Sequence, residues 1–137
     1  MSLFNIFDVA GSAMNAQSVR LNLTASNLAN AESVGHSADS VYRPRRPVFA
    51  AILNDETSNI PTAGVEVSVI QDTKAEPYKR YQPHHPSSDA EGYVWAPAVE
   101  VVEEMADMIA ASRSYQANIE VANTTKDLAL QTLNLGR

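Results

Sequence analysis

Read in alternating three- and four-residue steps, the start of the chain puts Leu3, Phe7, Ala10, Met14, Gln17, Leu21, Thr24 and Leu28 on one line. That line is the apolar stripe of an amphipathic helix, notched at Gln17 and Thr24. Residues 1–31 contain no proline and a single glycine, Gly11, so nothing breaks the helix early. Ser2 is placed to cap it, and Asp8 lies toward the positive end of its dipole. A longer stripe runs through Val101, Met105, Met108, Ser112, Tyr115, Ile119, Ala122, Lys126, Ala129 and Leu133. It repeats over several heptads, as a coiled-coil seam does. Pro97 marks its approach and Gly136 its end, and Glu100, Glu103, Glu104 and Asp107 crowd its first turns, where carboxylates complement the dipole.

Between the stripes, residues 32–97 hold all 7 prolines, which excludes a long helix and predicts turns and short strands. Val65-Glu66-Val67-Ser68-Val69 alternates cleanly and is the strongest strand signal. Val48–Leu53, Tyr78–Tyr81 and Gly92–Trp95 are further candidate strands, and 33–40 and 54–61 read as loops. The expected fold is mainly α with a small β-rich insert: an N-terminal helix in 1–31, an insert in 32–97 and a C-terminal helix in 98–137. The two helices are expected to pair as an antiparallel coiled-coil-like core.

Length turns this pattern into an argument about assembly. A helix of about 36 residues is roughly 54 Å long, whereas a compact chain of this size is under roughly 40 Å across. The molecule is therefore elongated. Pairing covers one stripe per helix and is expected to leave Ala13, Ala16, Ala25, Ala110, Ala111 and Ala117 facing water. Val102, Ile109, Val121, Leu128 and Leu130 also fall outside the stripe, so neighbouring subunits are needed to complete the burial.

Charge and composition narrow the chemistry. A net charge of −6 disfavours a nucleic-acid partner. With no cysteine there is no disulfide or thiolate metal ligand. The longest apolar run, Val48–Leu53, is far short of a membrane span, and Met1–Val19 lacks the basic and apolar regions of a signal peptide. His84 and His85 with Asp89 and Glu91 lack the helical spacing of a metal pair. No catalytic constellation, cofactor motif or small-molecule substrate site is specified, so the chain reads as a non-enzyme without cofactor or metal. Arg43-Pro44-Arg45-Arg46-Pro47 reads as a connector into the Val48 strand. The rival reading is a small monomeric binding module with a pocket near Trp95 and the histidines.

Three segments carry a resemblance. Leu23-Thr24-Ala25-Ser26-Asn27-Leu28-Ala29-Asn30-Ala31 resembles the N-terminal motif of the bacterial flagellar rod and hook axial proteins. Pro83-His84-His85-Pro86-Ser87-Ser88-Asp89-Ala90-Glu91-Gly92-Tyr93-Val94 is similar to the family's pre-helix motif. The stretch from Glu103-Glu104-Met105 through Arg113, Tyr115 and Asn118 to Leu133-Asn134-Leu135-Gly136 is the most specific. Family-motif positions are thus Asn27, Leu28, Ala29, Asn30, Asp89, Gly92, Tyr93, Glu104, Met105, Arg113, Tyr115 and Asn118. The chain departs from the family at Ala98, where Asn is usual, and in Glu32-Ser33-Val34-Gly35-His36 after the first motif.

The resemblance implies a short proximal-rod subunit, or another short rod protein of the same family. Such a subunit leaves through the flagellar type III export apparatus without a cleavable signal peptide. It assembles in the periplasm into an axial tube that transmits motor torque and carries exported flagellar subunits, with the paired helices lining the tube and the insert facing outward. Implied partners are other copies, other rod proteins and the adapter joining rod to membrane ring. Expected packing residues are Leu3, Phe7, Met14, Leu21, Leu28, Val101, Met105, Met108, Tyr115, Ile119, Ala122 and Leu133, with Asn27, Asn30, Gln116, Asn118 and Asn123 fixing register between helices.

Overall fold

The computed structural model describes residues 3–54 and 62–135. Helix α1 spans Leu3–Ala29 and helix α2 spans Val101–Leu135; between them lie β1 (Arg45–Asn54), β2 (Thr62–Asp72), β3 (Tyr78–Tyr81) and β4 (Tyr93–Ala96). The chain is two long helices joined by a small middle of antiparallel strands. Ser2, Gly136, the side chain of Leu3 and most of the expected 54–61 loop lie outside the described residues.

Local chemistry sets the element ends. Asn30 closes the last turn of α1: its backbone N–H (3.2 Å) and its side-chain Nδ2 (2.8 Å) both donate to the Ser26 carbonyl. Asp8 falls in the second turn of α1, not the first, where dipole complementarity has faded. α2 begins at Val101, not directly after Pro97, because Val99 N donates to the Pro97 carbonyl (2.9 Å) and closes a turn first. Glu103 and Glu104 occupy the first turn of α2, as dipole complementarity requires.

The strands are longer than alternation predicts. β1 starts at Arg45 instead of Val48, and β2 runs from Thr62 to Asp72 instead of Val65–Val69. The two pair antiparallel as a long hairpin with a register shift between Val48 and Phe49, and cross-strand pairing carries polar positions such as Glu66 and Gln71 into the ladder. Pro47 is tolerated in this two-stranded ribbon because each strand has a free edge. β3 and β4 form a second hairpin, to which Gly35 adds one bridge with Trp95 (2.9 and 3.1 Å). A Cβ at Gly35 would stand 2.6 Å from Ser40 Oγ and 3.0 Å from a Val41 methyl, so the bridge needs glycine.

α1 is flanked on two sides, touching α2 and also both strands of the long hairpin. Val65 N donates to Ser12 Oγ (3.2 Å) and Asn27 bonds Arg45, so the hairpin runs back along α1 toward its N-terminus. α2 and α1 run in opposite directions: Arg46, next to the Asn27 partner, reaches Glu103, whereas Arg20 reaches Asp107.

The core is unusual in what it lacks. Its buried apolar residues are Ala10, Ala16, Ala31, Val41, Val94, Ala96 and Ala111. Ala16 and Ala111 were expected to face water; they lie inside, because small side chains let the flanking elements approach closely. On α2 the covered line is Glu104, Met108, Ala111, Tyr115, Asn118, Ala122, Thr125 and Ala129, all buried or half-buried. Val101, Met105, Ile119 and Leu133, expected on the covered stripe, are exposed instead.

Candidate assembly surface

Among the described residues, most of the exposed large apolar side chains lie on α2. Val102, Met105, Ile109, Ile119, Leu130 and Leu133 follow one line of three- and four-residue steps; Val121, Leu128 and Leu135 follow another. Exposure is high at both ends of the helix, 79% at Val102 and 87% at Leu135. The Arg20–Asp107 register and a common rise of about 1.5 Å per residue put Leu3 opposite roughly Thr124. The last ten or so residues of α2 therefore project beyond α1.

At the other end, the foot of α2 is fixed by charge. Arg20 Nη2 bonds Asp107 Oδ1 at 2.9 Å, and Arg46 Nη2 bonds Glu103 Oε1 at 2.7 Å. Arg46 is held above its ordinary value, first by its hydrogen bond to Glu103 and then by the charges of Glu104 and Asp107, against partial desolvation. The basic segment thus ties hairpin to helix. Arg45 also pairs Asp72 (3.5 Å), Arg43 pairs Asp39 (3.7 Å) and Arg80 pairs Glu32 (3.0 Å). An open cleft of about 940 Å³ adjoins this foot, lined by Val48, Thr73, Tyr78, Val99, Val101 and Glu104 among others. It is not the pocket near Trp95 and the histidines that a binding module predicts. There, Lys79 lies over the Tyr93 and Trp95 rings, and His85 Nδ1 accepts from Ser87 N (3.1 Å) in a turn.

The motif asparagines serve the chain's own backbone. Asn27 is 1% exposed: its Nδ2 donates to the Arg45 carbonyl (3.0 Å), and its Oδ1 accepts from Arg45 N (2.9 Å) and the Tyr42 hydroxyl (2.7 Å). It therefore joins helix to strand, where a contact between helices was expected. Asn30 and Asn118 bond carbonyls four residues back in their own helices, and Gln116 and Asn123 are exposed.

Asp89, Gly92 and Tyr93 close the second hairpin. Asp89 Oδ1 accepts from Tyr93 N (2.8 Å) and Glu91 N (3.0 Å), while Asp89 N donates to the Tyr93 carbonyl (2.9 Å). Gly92 sits at φ 84°, where a side chain is strained. The Asp89 carboxyl is held below its ordinary value, first by the Tyr93 N–H and further by Glu91 N–H and the Lys79 ammonium. Of the remaining packing residues, Phe7, Met14, Leu21 and Leu28 on α1, and Met108, Tyr115 and Ala122 on α2, are half-buried within the chain. Ala29 is exposed. Sequence reading missed Ser12, Arg20, Tyr42, Arg46 and Asp107, whose roles rest on long-range partners; the opposite charges of Arg45–Arg46 and Glu103–Asp107 were the one visible signal.

Residues 7–35 match the family model for flagella basal body rod proteins, and residues 90–135 match the model for the C-terminal region of flagellar basal body rod FlgEFG proteins. The flagellar basal-body rod protein FlgC of Yersinia enterocolitica is 51% identical over the full length of both chains. The chain belongs to the FlgC family of flagellar basal-body rod proteins. FlgC of Salmonella typhimurium is 50% identical and that of Escherichia coli O157:H7 48% identical, each again over both full lengths. The two matched regions coincide with α1 plus its exit turn and with the Asp89 hairpin end plus α2. The long hairpin of the FlgC-family fold lies between them. FlgC proteins are structural rod proteins, and this chain is not an enzyme.

Proposed function

We propose that this FlgC-family chain is a structural subunit of the proximal flagellar rod, assembling with other copies of itself and with other rod proteins through its two helices. One observation carries this reading: the few fully buried apolar side chains are mostly alanines, while valine, isoleucine, methionine and leucine side chains line the outside of α2. An isolated globule reverses that distribution. Neighbouring helices would cover Val101, Met105, Ile119 and Leu133, whereas Phe7, Met14, Leu21, Leu28, Met108, Tyr115 and Ala122 pack mainly inside the subunit. The pairing of α1 with α2 is read as coiled-coil-like, because the covered line on α2 keeps heptad spacing. Its place is the periplasmic part of the basal body, reached through the type III export apparatus without a cleavable signal peptide. There the helices line an axial tube that transmits torque and passes exported subunits, the hairpins face outward, and the adapter to the membrane ring is one neighbour.

Ile119→Asp tests this. Ile119 is exposed, so the charge leaves the monomer's fold and hairpins intact and acts only where a neighbour packs. The expected result is a normally folded protein absent from purified basal bodies, in cells without motility. Normal motility with this variant as the only copy refutes the packing role.

A further inference from the structure

The apolar side chains on the outer line of α2 fall into two groups, at its opposite ends. At the foot, Val102, Met105 and Ile109 lie on the face opposite the covered line of Glu104, Met108 and Ala111. Val102 also lines the open cleft, together with Val48, Tyr78 and Val99. At the tip, Leu130 and Leu133 continue the same outer line where α2 has passed the end of α1. Between the groups the line carries Gln116, Asn123 and Lys126, all exposed, with Ile119 as its one large apolar residue. A neighbouring helix lying along the whole of α2 buries that polar stretch too, at a cost in desolvation. A neighbour that meets only the ends leaves it in water.

We infer that the tip of α2 of one copy seats against the foot and open cleft of a second copy, in a parallel head-to-tail overlap. This rests on the assembly reading above and names the contact. Spacing supports it first. Val102 and Met105 recur as Leu130 and Leu133 four heptads later. A parallel shift of that length, about 42 Å, sets Val102 beside Leu130 and Met105 beside Leu133, the like-to-like pairing of a parallel coiled coil. Charge sets the direction. Acidic side chains outnumber basic ones along the cleft, and Arg46, Arg80 and Arg45 already pair with Glu103, Glu32 and Asp72. Glu100 is exposed there with no ion-pair partner among the described residues, and so is Lys126, one turn before Leu130. The parallel overlap brings Lys126 within a turn of Glu100; an antiparallel one sets it on Ile109. Area agrees. The chain exposes 9436 Å², roughly a third more than a compact chain of its mass. A standard contact takes about 800 Å² from the tip and as much from the foot, which that surplus accommodates. Tip and foot are different surfaces of one chain, so the contact repeats without closing and the array stays open to growth.

The test uses full-length protein in solution. The native chain has no cysteine, so introduced pairs report cleanly. Mixing Val102→Cys protein with Leu130→Cys protein should give an oxidised dimer that neither forms alone. Met105→Asp and Leu130→Asp should each weaken self-association by about tenfold or more in sedimentation. Both positions are exposed, so the monomer's melting temperature should not change. Glu100→Lys and Lys126→Glu should each weaken association by about threefold, and the two together in one chain should restore it. Failure of that double variant to recover overturns the register. Oxidised dimers through Ile109→Cys and Lys126→Cys instead identify a closed antiparallel pair and overturn the head-to-tail contact. Self-association unchanged in Leu130→Asp overturns the tip as the occupant, and a native chain that stays monomeric at all concentrations overturns a second copy. In each case, incorporation of the native chain into basal bodies shows that the rod reading stands and only this contact fails; lack of incorporation removes the rod reading itself.

Discussion

At the scale of single residues, Asn27 behaves as a piece of β-strand mounted on a helix. Its amide offers one donor and one acceptor to Arg45, as a neighbouring peptide would, and so starts the long hairpin at a fixed point on α1. Asn27→Ala strands the Arg45 N–H and carbonyl and loosens Tyr42. It should cost about 2–3 kcal/mol of unfolding free energy in denaturant titration, the usual penalty for leaving buried backbone groups unpaired. Asn27→Asp keeps the acceptor but sets a carboxylate oxygen against the Arg45 carbonyl in a buried site, so its loss at neutral pH should be at least as large. Asp89 does similar work on the second hairpin, with a consequence for pH. Its folded-state carboxyl titrates below the ordinary 3.8, because ionised Asp89 accepts the Tyr93 and Glu91 N–H groups. A lowered folded value means that the contribution is complete above the ordinary value and disappears as pH falls through the folded one. Thermal melts at successive pH values below 4 should therefore show a steeper loss for the native chain than for Asp89→Asn, which has no carboxylate there to protonate.

At the scale of elements, both helices were legible because their apolar periodicity is long and free of proline, and the strands because of alternation and proline punctuation. The phase of α2 was not. Apolar count favours Val101, Met105 and Ile119 as the covered line, yet the seam takes Glu104, Ala111 and Asn118. The reason is that a helix bound for an assembly has more than one buried face, so hydrophobicity alone does not say which face is intramolecular. Size also counts: Ala111 on α2 is fully buried, and ion pairs at 20–107 and 46–103 set the register. Those pairings join residues far apart in sequence, which is why the binding surface was visible in kind but not in its residues. The phase has a direct test. Ala111 is 0% exposed, so Ala111→Leu overpacks the seam and should lower monomer stability by about 1–3 kcal/mol. Ala110→Leu, one position away on the exposed side, should leave the monomer's melting temperature nearly unchanged. Equal losses in the two would place the seam elsewhere.

At the scale of the whole molecule, surface area is the informative quantity. A compact monomer of 14.8 kDa exposes about 7,000 Å², and this chain exposes 9436 Å². The surplus is roughly a third of the compact value, worth several standard contacts at about 800 Å² a side. It is not spread evenly. α1 has α2 on one flank and the long hairpin on another, so its middle turns should be protected even in a dilute monomer. The projecting end of α2 has neither among the described residues: Leu128, Leu130, Leu133 and Leu135 are all exposed, the last two most. An isolated helical end of about ten residues is marginal in water, since too few hydrogen bonds follow the nucleation cost. Hydrogen exchange of the dilute protein should therefore be fast across 126–135, slower across 101–122 and slowest in the middle of α1. On assembly, 126–135 should slow most, because the neighbour that covers its leucines also removes the cost of leaving them in water. Slow exchange at 126–135 in a verified monomer would mean that a single copy shelters its own leucines, leaving no surplus for partners to bury.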